Sequence, residues 1–403
     1  MLEDLKQAAT PAPPPNFRPG VTFDGQTPSE IVTPPLPKME SQAEFEAALR
    51  DLGYPLPEDM TVMLTEMQMV HHEAFWHRDK DKIGEQHTAY TAPATSWRYR
   101  FKVVPRSARH DADIAVLAAE ARAADPVHLP QPGASEHTRV VALSDFQIGK
   151  TDTLGGTVET LARSEAALAV VLESLRAGLP SEIVLLDAGD STEGFESSPN
   201  AAQTNDLHQT EQIRVWRRIL WRWISALAEF GVPLKVIGVP SNHCRVRKGK
   251  AVQGSALDDW GIEVIAQVSD IAEANPEAYG HVEFIVPREH TEHVLVTLAG
   301  GLVLGLVHGH QKNSPNALTG WVKSTGRKGL AQADIVVCGH FHHLRVEAFG
   351  DHQWLMICPT NDNGSSWFTP GSGEESEPGI LTFSVDDRGW FALRPIWLGA
   401  TVS

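Results

Sequence analysis

The sequence predicts an α/β fold built on two sheets with helices outside them. Three observations carry this. Strand-like apolar runs alternate with helical stretches from residue 138 to 272. Strand patterns then dominate from 281 to 395. Across the two stretches, five predicted strands end on residues that ligate metals or handle protons. Alternation followed by a strand-rich half suggests two sheets covered by helices.

Residues 1–38 carry Pro11, Pro13, Pro14, Pro15, Pro34, Pro35 and Pro37 and little apolar content, which predicts a flexible tail. Residues 39–135 read as a small, mostly helical appended module. A helical period over 41–52 rests on Phe45, Ala48, Leu49 and Leu52 and stops at Gly53. A second helix is expected over 58–76, a strand over 97–104 and an Ala-rich helix over 111–124. His71, His72 and His77 invite a zinc reading, but that pattern needs two His four apart on one helical face. His72 and His77 are five apart, so a solvated face is expected there.

Residues 136–403 read as the main domain. Strands are predicted over 139–143, 183–186 and 234–239, with helices over 158–176, 207–230 and 257–272 between and after them. Further strands are predicted over 281–286, 293–298, 302–307, 335–337, 344–348, 354–357, 380–385 and 390–395. The run Ile335-Val336-Val337-Cys338 is too short for a helix and is followed by Gly339-His340-Phe341-His342.

Composition bounds the function. The net charge of −17 argues against sequence-independent coating of nucleic acid or anionic membrane. No apolar run is long enough to span a membrane and the N-terminus carries no secretory pattern. Three cysteines without Cys-x-x-Cys make a disulfide framework or thiolate zinc site a poor fit, and a cytoplasmic location is expected.

The strand ends offer Asp145 with Gln147, Asp190, Asn242 with His243, His308 with His310, and His340 with His342. In open α/β sheets, sites form at the carboxyl ends of strands. Carboxylates, an amide oxygen and several imidazoles together suit borderline divalent ions such as Mn, Fe, Co, Ni or Zn. Two ions bridged by one carboxylate would hold two phosphate oxygens and generate hydroxide between them.

In this order, Asp145-x-Gln147, Gly189-Asp190-x-x-Glu193, Asn242-His243, His308-Gly309-His310 and Gly339-His340-x-His342 resemble the signature of calcineurin-like metallophosphoesterases. The resemblance covers residues 138–360. It implies a four-layer αββα sandwich of two mixed sheets. It also implies two divalent ions, with Mn the first choice and Mg among the alternatives. Asp190 would bridge them. Asp145, Gln147 and His342 would complete one site, and Asn242, His308 and His340 the other. His243 would face the phosphate and either protonate the leaving oxygen or stabilise its charge.

The sequence departs from the family pattern in four places. Gln147 stands where His is usual, a variant that resembles phage-encoded relatives. Ser241 replaces Gly before Asn242. Cys244 replaces the acidic residue after His243, removing an expected orienting partner. Glu193 replaces Asp. A nucleophilic role for Cys244 lacks a triad-like partner.

Basic residues gather near the motifs. Arg245, Arg247, Lys248 and Lys250 follow His243, and Lys312, Lys323, Arg327 and Lys328 precede His340. Arg245, Arg247, Lys248 and His310 are therefore candidates for substrate phosphate. Arg214, Arg217, Arg218 and Arg222 share a predicted helix with Trp216, Trp221 and Trp223. Those tryptophans are expected in the core and the charges on a solvated face. The expected reaction is hydrolysis of a phosphate ester. A phosphodiester in DNA or RNA is the first reading, as in the double-strand-break-repair nucleases of the family. A phosphomonoesterase or small-nucleotide hydrolase, and a non-catalytic scaffold of the same fold, are the alternatives.

Overall fold

The computed structural model describes residues 19–24, 27–39, 42–56, 60–72, 75–80, 86–91, 94–105, 114–128, 137–195, 205–248, 251–252, 255–326, 329–364 and 377–399. The chain divides into two compact units, Met1–His110 and Asp111–Ser403.

The first unit contains strands β1 (Gly20–Asp24) and β2 (Thr27–Val32), helix α1 (Gln42–Asp51), and strands β3 (Met60–His72), β4 (Phe75–Lys80), β5 (Gln86–Thr91) and β6 (Ala94–Pro105). An antiparallel sheet runs β1-β2-β6-β3, and β4 pairs with β5. Alternate residues of β6, namely Tyr99, Phe101 and Val103, turn inward and bury against Ile31, Leu49 and Val62. Phe45 of α1 closes this core, its ring 5.1 Å from Phe101 and 5.6 Å from Tyr99.

Two expectations are corrected here. The module is mainly sheet, not mainly helix. Met60–His72 is rich in Met, Leu, Glu and Gln, which favour helices alone, but pairing along β6 decides the outcome. With His71 and His72 on β3 and His77 on β4, no helical face joins them. Second, residues 20–32 are a hairpin rather than tail, and Thr33 is held to β6 by its N–H donating to the Tyr99 carbonyl at 2.8 Å. Residues 1–18 of the expected tail lie outside the described residues.

The second unit opens with helix α2 (Ile114–Ala123), then β7 (Thr138–Leu143), α3 (Thr157–Ala177), β8 (Glu182–Asp187), α4 (Gln209–Ala228) and β9 (Leu234–Gly238). A short hairpin of β10 (Arg247–Lys248) and β11 (Ala251–Val252) precedes α5 (Trp260–Glu273) and α6 (Pro276–Tyr279). The remainder is β12 (Val282–Ile285), β13 (His293–Thr297), β14 (Val303–Val307), α7 (Pro315–Ser324), β15 (Ile335–Cys338), β16 (Arg345–Gly350), β17 (Gln353–Ile357), β18 (Gly379–Asp386) and β19 (Gly389–Trp397). Helix α2 packs within this unit. Leu117 and Ala121 share the core beneath α4 and α5, and Asn275 Nδ2 donates to the carbonyls of Ala121 and Ala124 at 3.0 and 2.9 Å. Helix α2 thus belongs to the compact unit Asp111–Ser403.

Two mixed sheets form the centre. One runs β12-β9-β8-β7-β18-β19, parallel from β12 to β7 and antiparallel beyond. The other runs β13-β14-β15-β17-β16, with β14, β15 and β17 parallel. The period of two along each strand explains the layering. Val140, Ala142, Val184 and Leu186 face Leu304, Leu306, Ile335 and Val337 across the space between the sheets. Their neighbours Val141, Leu143, Ile183 and Leu185 turn outward against α3, α4 and α5. On the far side Val336 and Cys338 meet Leu318 and Val322 of α7. The result is the four-layer αββα sandwich that the sequence predicts. Strands covered on both faces read as the continuous apolar runs noted above. Among the described residues no helix is long and apolar enough to cross a membrane.

Candidate metal centre

The parallel strands β7, β8 and β9 end on one edge of their sheet, and β14 and β15 end facing them. The chain leaves β7, β8 and β15 through turns that L-residues seldom adopt. Asp145, Gln147, Asp190, His340 and His342 all have positive φ, between 43° and 69°. They are five of the eight non-glycine residues with positive φ among those described, and all five are candidate ligands. Such strain, worth about 1–3 kcal/mol per residue, persists where surrounding contacts over-determine it, and it clusters at functional sites. Here those contacts are visible. The N–H groups of Asp145 and Gln147 donate to the carbonyls of Gly189 (3.0 Å) and Asp190 (2.9 Å), tying the β7 turn to the β8 turn. The His340 N–H donates to the Asp145 carboxylate at 3.0 Å, tying β15 to β7. Gly189 permits the β8 turn: its φ is +93°, and a Cβ there would lie 2.7 Å from Ser241 and 2.8 Å from His308.

Asp190, Asn242, His308 and His340 form the better assembled half. His308 is fully buried, and its Nδ1–H donates to the Ala188 carbonyl at 2.7 Å. That bond turns Nε2 toward the centre, where it lies 3.0 Å from Asp190 Oδ2 and 3.0 Å from Asn242 Oδ1. An imidazole nitrogen, a carboxylate oxygen and an amide oxygen thus converge, and once the ring nitrogen gives up its proton all three can ligate a cation. Donor atoms of Asp190, His308 and His340 lie within 4.8 Å of one another. Burial works against a charged His308 ring, but Asp190 and Asp145 outweigh it and raise its pKa to about 9. His340 moves the other way, to about 4, through burial and the neighbouring His308. Its neutral ring is the ligating form.

Asp145 and His342 form the other half. His342 Nε2 lies 3.2 Å from Asp145 Oδ1, and its Nδ1 lies 3.4 Å from Asp362 Oδ2. Burial opposes charge on His342, but Asp145 and Asp362 raise its pKa to about 10. The proton on this ring sits between two carboxylates that favour its charged form. Gln147 is buried beside them, but its Oε1 accepts from Lys150 Nζ at 2.7 Å. Lys150 Nζ also meets Asp362 Oδ2 at 2.5 Å.

His243 adjoins this centre through Asp190. Its N–H donates to Asp190 Oδ1 at 2.8 Å, and its Nδ1 lies 2.9 Å from the Glu193 carbonyl and 3.3 Å from Glu193 Oε2. Glu193 thereby supplies the orienting partner that Cys244 cannot. Burial disfavours the charged ring, yet Asp190 and Glu193 outweigh burial and raise its pKa. Cys244 is buried against Thr192, and desolvation pushes its thiol far up, so the nucleophile reading fails. A cavity of about 220 Å³ opens beside His243, lined by Phe195, Gln209, Arg245 and Trp260 among others.

The substrate-phosphate candidates fare unevenly. Arg245 is ion-paired to Glu292, which also accepts from Gln311 Nε2 at 2.7 Å. Burial and His308 lower the His310 pKa to about 3, so this ring carries no charge toward an anion. Arg247 and Lys248 lie on β10, and their side chains lie outside the described residues, as do Lys250, Arg327 and Lys328. On α4 the tryptophans are core, as expected: Trp216, Trp221 and Trp223 are at most 1% exposed. Arg218 pairs with Glu120 at 2.5 Å, Arg222 with Glu165 at 3.4 Å, and Arg217 donates to Gln267 at 2.7 Å.

Sequence reasoning missed Lys150, Asp362 and Glu292. A signal existed for Asp362, because Thr360-Asn361-Asp362-Asn363 is a polar cluster directly beyond β17. All four are buried, and Thr360 Oγ1 donates to the Asp145 carbonyl at 2.8 Å. Lys150 and Glu292 carried no signal, since their partners are set by tertiary contact.

Neither a protein-family model nor a curated protein matches this sequence. Solved structures do. Vps29 of Chaetomium thermophilum is similar at 13% identity and a TM-score of 0.28, over 62% of this chain and 85% of its own. The hypothetical protein PH1004 of Pyrococcus horikoshii OT3 is similar at 10% identity and a TM-score of 0.32, over 66% of this chain and 89% of its own. PhoD is similar at 9% identity and a TM-score of 0.30, over 90% of this chain and 84% of its own. The functional reading rests on the site and its motifs, not on these likenesses.

Proposed function

We propose that this chain is a metal-dependent phosphoesterase of calcineurin-like type, and that its substrate is a phosphodiester of DNA or RNA. The observation that carries the first part is the convergence of His308 Nε2, Asp190 Oδ2 and Asn242 Oδ1 at the strand ends. Asp190, Asn242, His308 and His340 would hold one divalent ion, and Asp145 and His342 would offer a second position. A bound ion supplies a Lewis acid for phosphoryl oxygens and a nucleophile at neutral pH. The chain's own contribution is placement and proton transfer. His243, whose charged form Asp190 and Glu193 favour, gives its Nε2 proton to the departing oxygen. The adjoining cavity has room for the leaving group. The nucleic-acid part rests on the basic run that follows His243.

The test is cleavage of labelled single- and double-stranded DNA beside p-nitrophenyl phosphate, with Mn added. DNA cleavage that Asp190→Ala abolishes is the expected result. Turnover of the monoester alone would move the substrate to a phosphomonoester and sink the nuclease reading.

A further inference from the structure

Lys150 lies where the sequence gives no reason to look for a functional cation. It is 7% exposed, and its ammonium is caught between Gln147 Oε1 at 2.7 Å and Asp362 Oδ2 at 2.5 Å. Both neighbours belong to the metal centre. Gln147 is the residue that the motif order offers as a ligand. Asp362 touches His342 Nδ1 on the side away from Asp145.

The lysine is anchored as well as paired. Its N–H donates to the Gln147 carbonyl at 3.0 Å, and its own carbonyl accepts from Asn363 Nδ2 at 2.7 Å. The loop that carries Asp362 is fixed in turn. Arg163 donates to the carbonyls of Asn361 (3.2 Å) and Asp362 (3.0 Å) and to Asn363 Oδ1 (2.8 Å). An ammonium pinned this way leaves only by breaking a buried ion pair.

The two halves of the centre are therefore unequal. One has four donors of its own. In the other, Asp145 and His342 gain no third His, Cys, Asp or Glu within reach of a single ion, among the described residues. Gln147, their expected complement, already accepts from a cation. A unit positive charge beside that position also repels a divalent ion.

We infer that Lys150 acts as a built-in cation that withholds Gln147 from the first site. The chain then holds one divalent ion firmly, through Asp190, Asn242, His308 and His340, and a second only weakly. This rests on the metal-centre reading above and names the cause of a weaker first site, where the motif resemblance implies two bound ions. Lys150 is a positioning residue here. It sets how many ions stay bound and need not touch substrate.

The probe is the metal alone. Metal-free protein is loaded with excess MnCl₂ and desalted. Retained Mn is then counted by elemental analysis, and its EPR spectrum is recorded. Wild type is expected to keep one Mn per chain with the signal of an isolated ion. Lys150→Met is expected to keep two, with an exchange-coupled signal. The affinity for the second ion should tighten by about 10- to 100-fold, the scale at which residues behind a ligand act. Two firmly held, coupled ions in wild type would overturn the inference and leave the metal-centre reading intact. One ion in both proteins, with Lys150→Met folded by circular dichroism, would also overturn it, because the lysine would not be what limits the site. No retained Mn in wild type would remove the metal-centre reading itself. Should Lys150→Met fail to fold, the wild-type count alone decides between one and two.

Discussion

Single residues test both the proposed chemistry, at His243, and the pH dependence of stability, at Asp187. His243→Ala should lower turnover by about 10²–10⁴-fold with a substrate whose leaving alcohol is a poor acid, since that oxygen needs its proton. With a nitrophenol leaving group the loss should be much smaller, because the anion departs unaided. Steady-state kinetics on both ester types checks this, and equal losses would mean that His243 does not transfer the proton. Asp187 is buried behind the centre, and desolvation outweighs its bonds from Gly189 and Ser191 to raise its pKa to about 6. The ordinary value is 3.8, so the folded state favours the protonated form. Its contribution to stability is then present below pH ~4 and lost as pH rises through ~6, by roughly 3 kcal/mol in total. Asp187→Asn keeps the acceptor for Gly189 and lets the Ser191 hydroxyl accept from the amide. Urea unfolding of metal-free protein should find the variant gaining on wild type between pH 4 and 6 and holding that gain above. A constant difference across the window would contradict the assignment.

At the scale of elements, strand ends and helix faces do different work. Gly339 ends β15 where a Cβ would run into Ser144 Oγ and the Asp145 carboxylate. Gly339→Ala should therefore destabilise by about 1–3 kcal/mol and release the ion more readily, read by thermal melts and Mn retention. Helix α4 is structural. Trp216 is fully buried with its ring 5.0 Å from Phe146, whose neighbours Asp145 and Gln147 are candidate ligands. Trp216→Ala should cost about 3–5 kcal/mol in urea unfolding. What was legible in the sequence follows this division. His340, His342, Asp190 and Asn242 were legible because each follows an apolar strand closely, and strand ends meet at a site wherever the sheet order falls. Lys150 and Asp362 meet across more than two hundred residues, so no local pattern announces their pairing. Strand β3 was misread because its residues favour helix intrinsically, while the partner strand that overrides them lies beyond the window of periodicity. The loops around Arg247 and Lys248 carry the nuclease reading in sequence only.

For the whole molecule, every candidate ligand and His243 belong to the compact unit 111–403, and the unit 1–110 has its own core around Tyr99 and Phe101. Each core is closed by its own sheet and helices, so residues 111–403 expressed alone should unfold cooperatively and keep the metal. The measurement that tests the central claim most directly joins metal content to chemistry. Wild type and Asp190→Ala would be stripped with chelator and reloaded with Mn. Bound metal and hydrolysis of bis-p-nitrophenyl phosphate would then be measured on the same samples. The account predicts that wild type regains metal and activity together, and that Asp190→Ala, folded by circular dichroism, regains neither. Hydrolysis that survives chelation, or a wild type that binds no divalent ion and cleaves nothing, would contradict it.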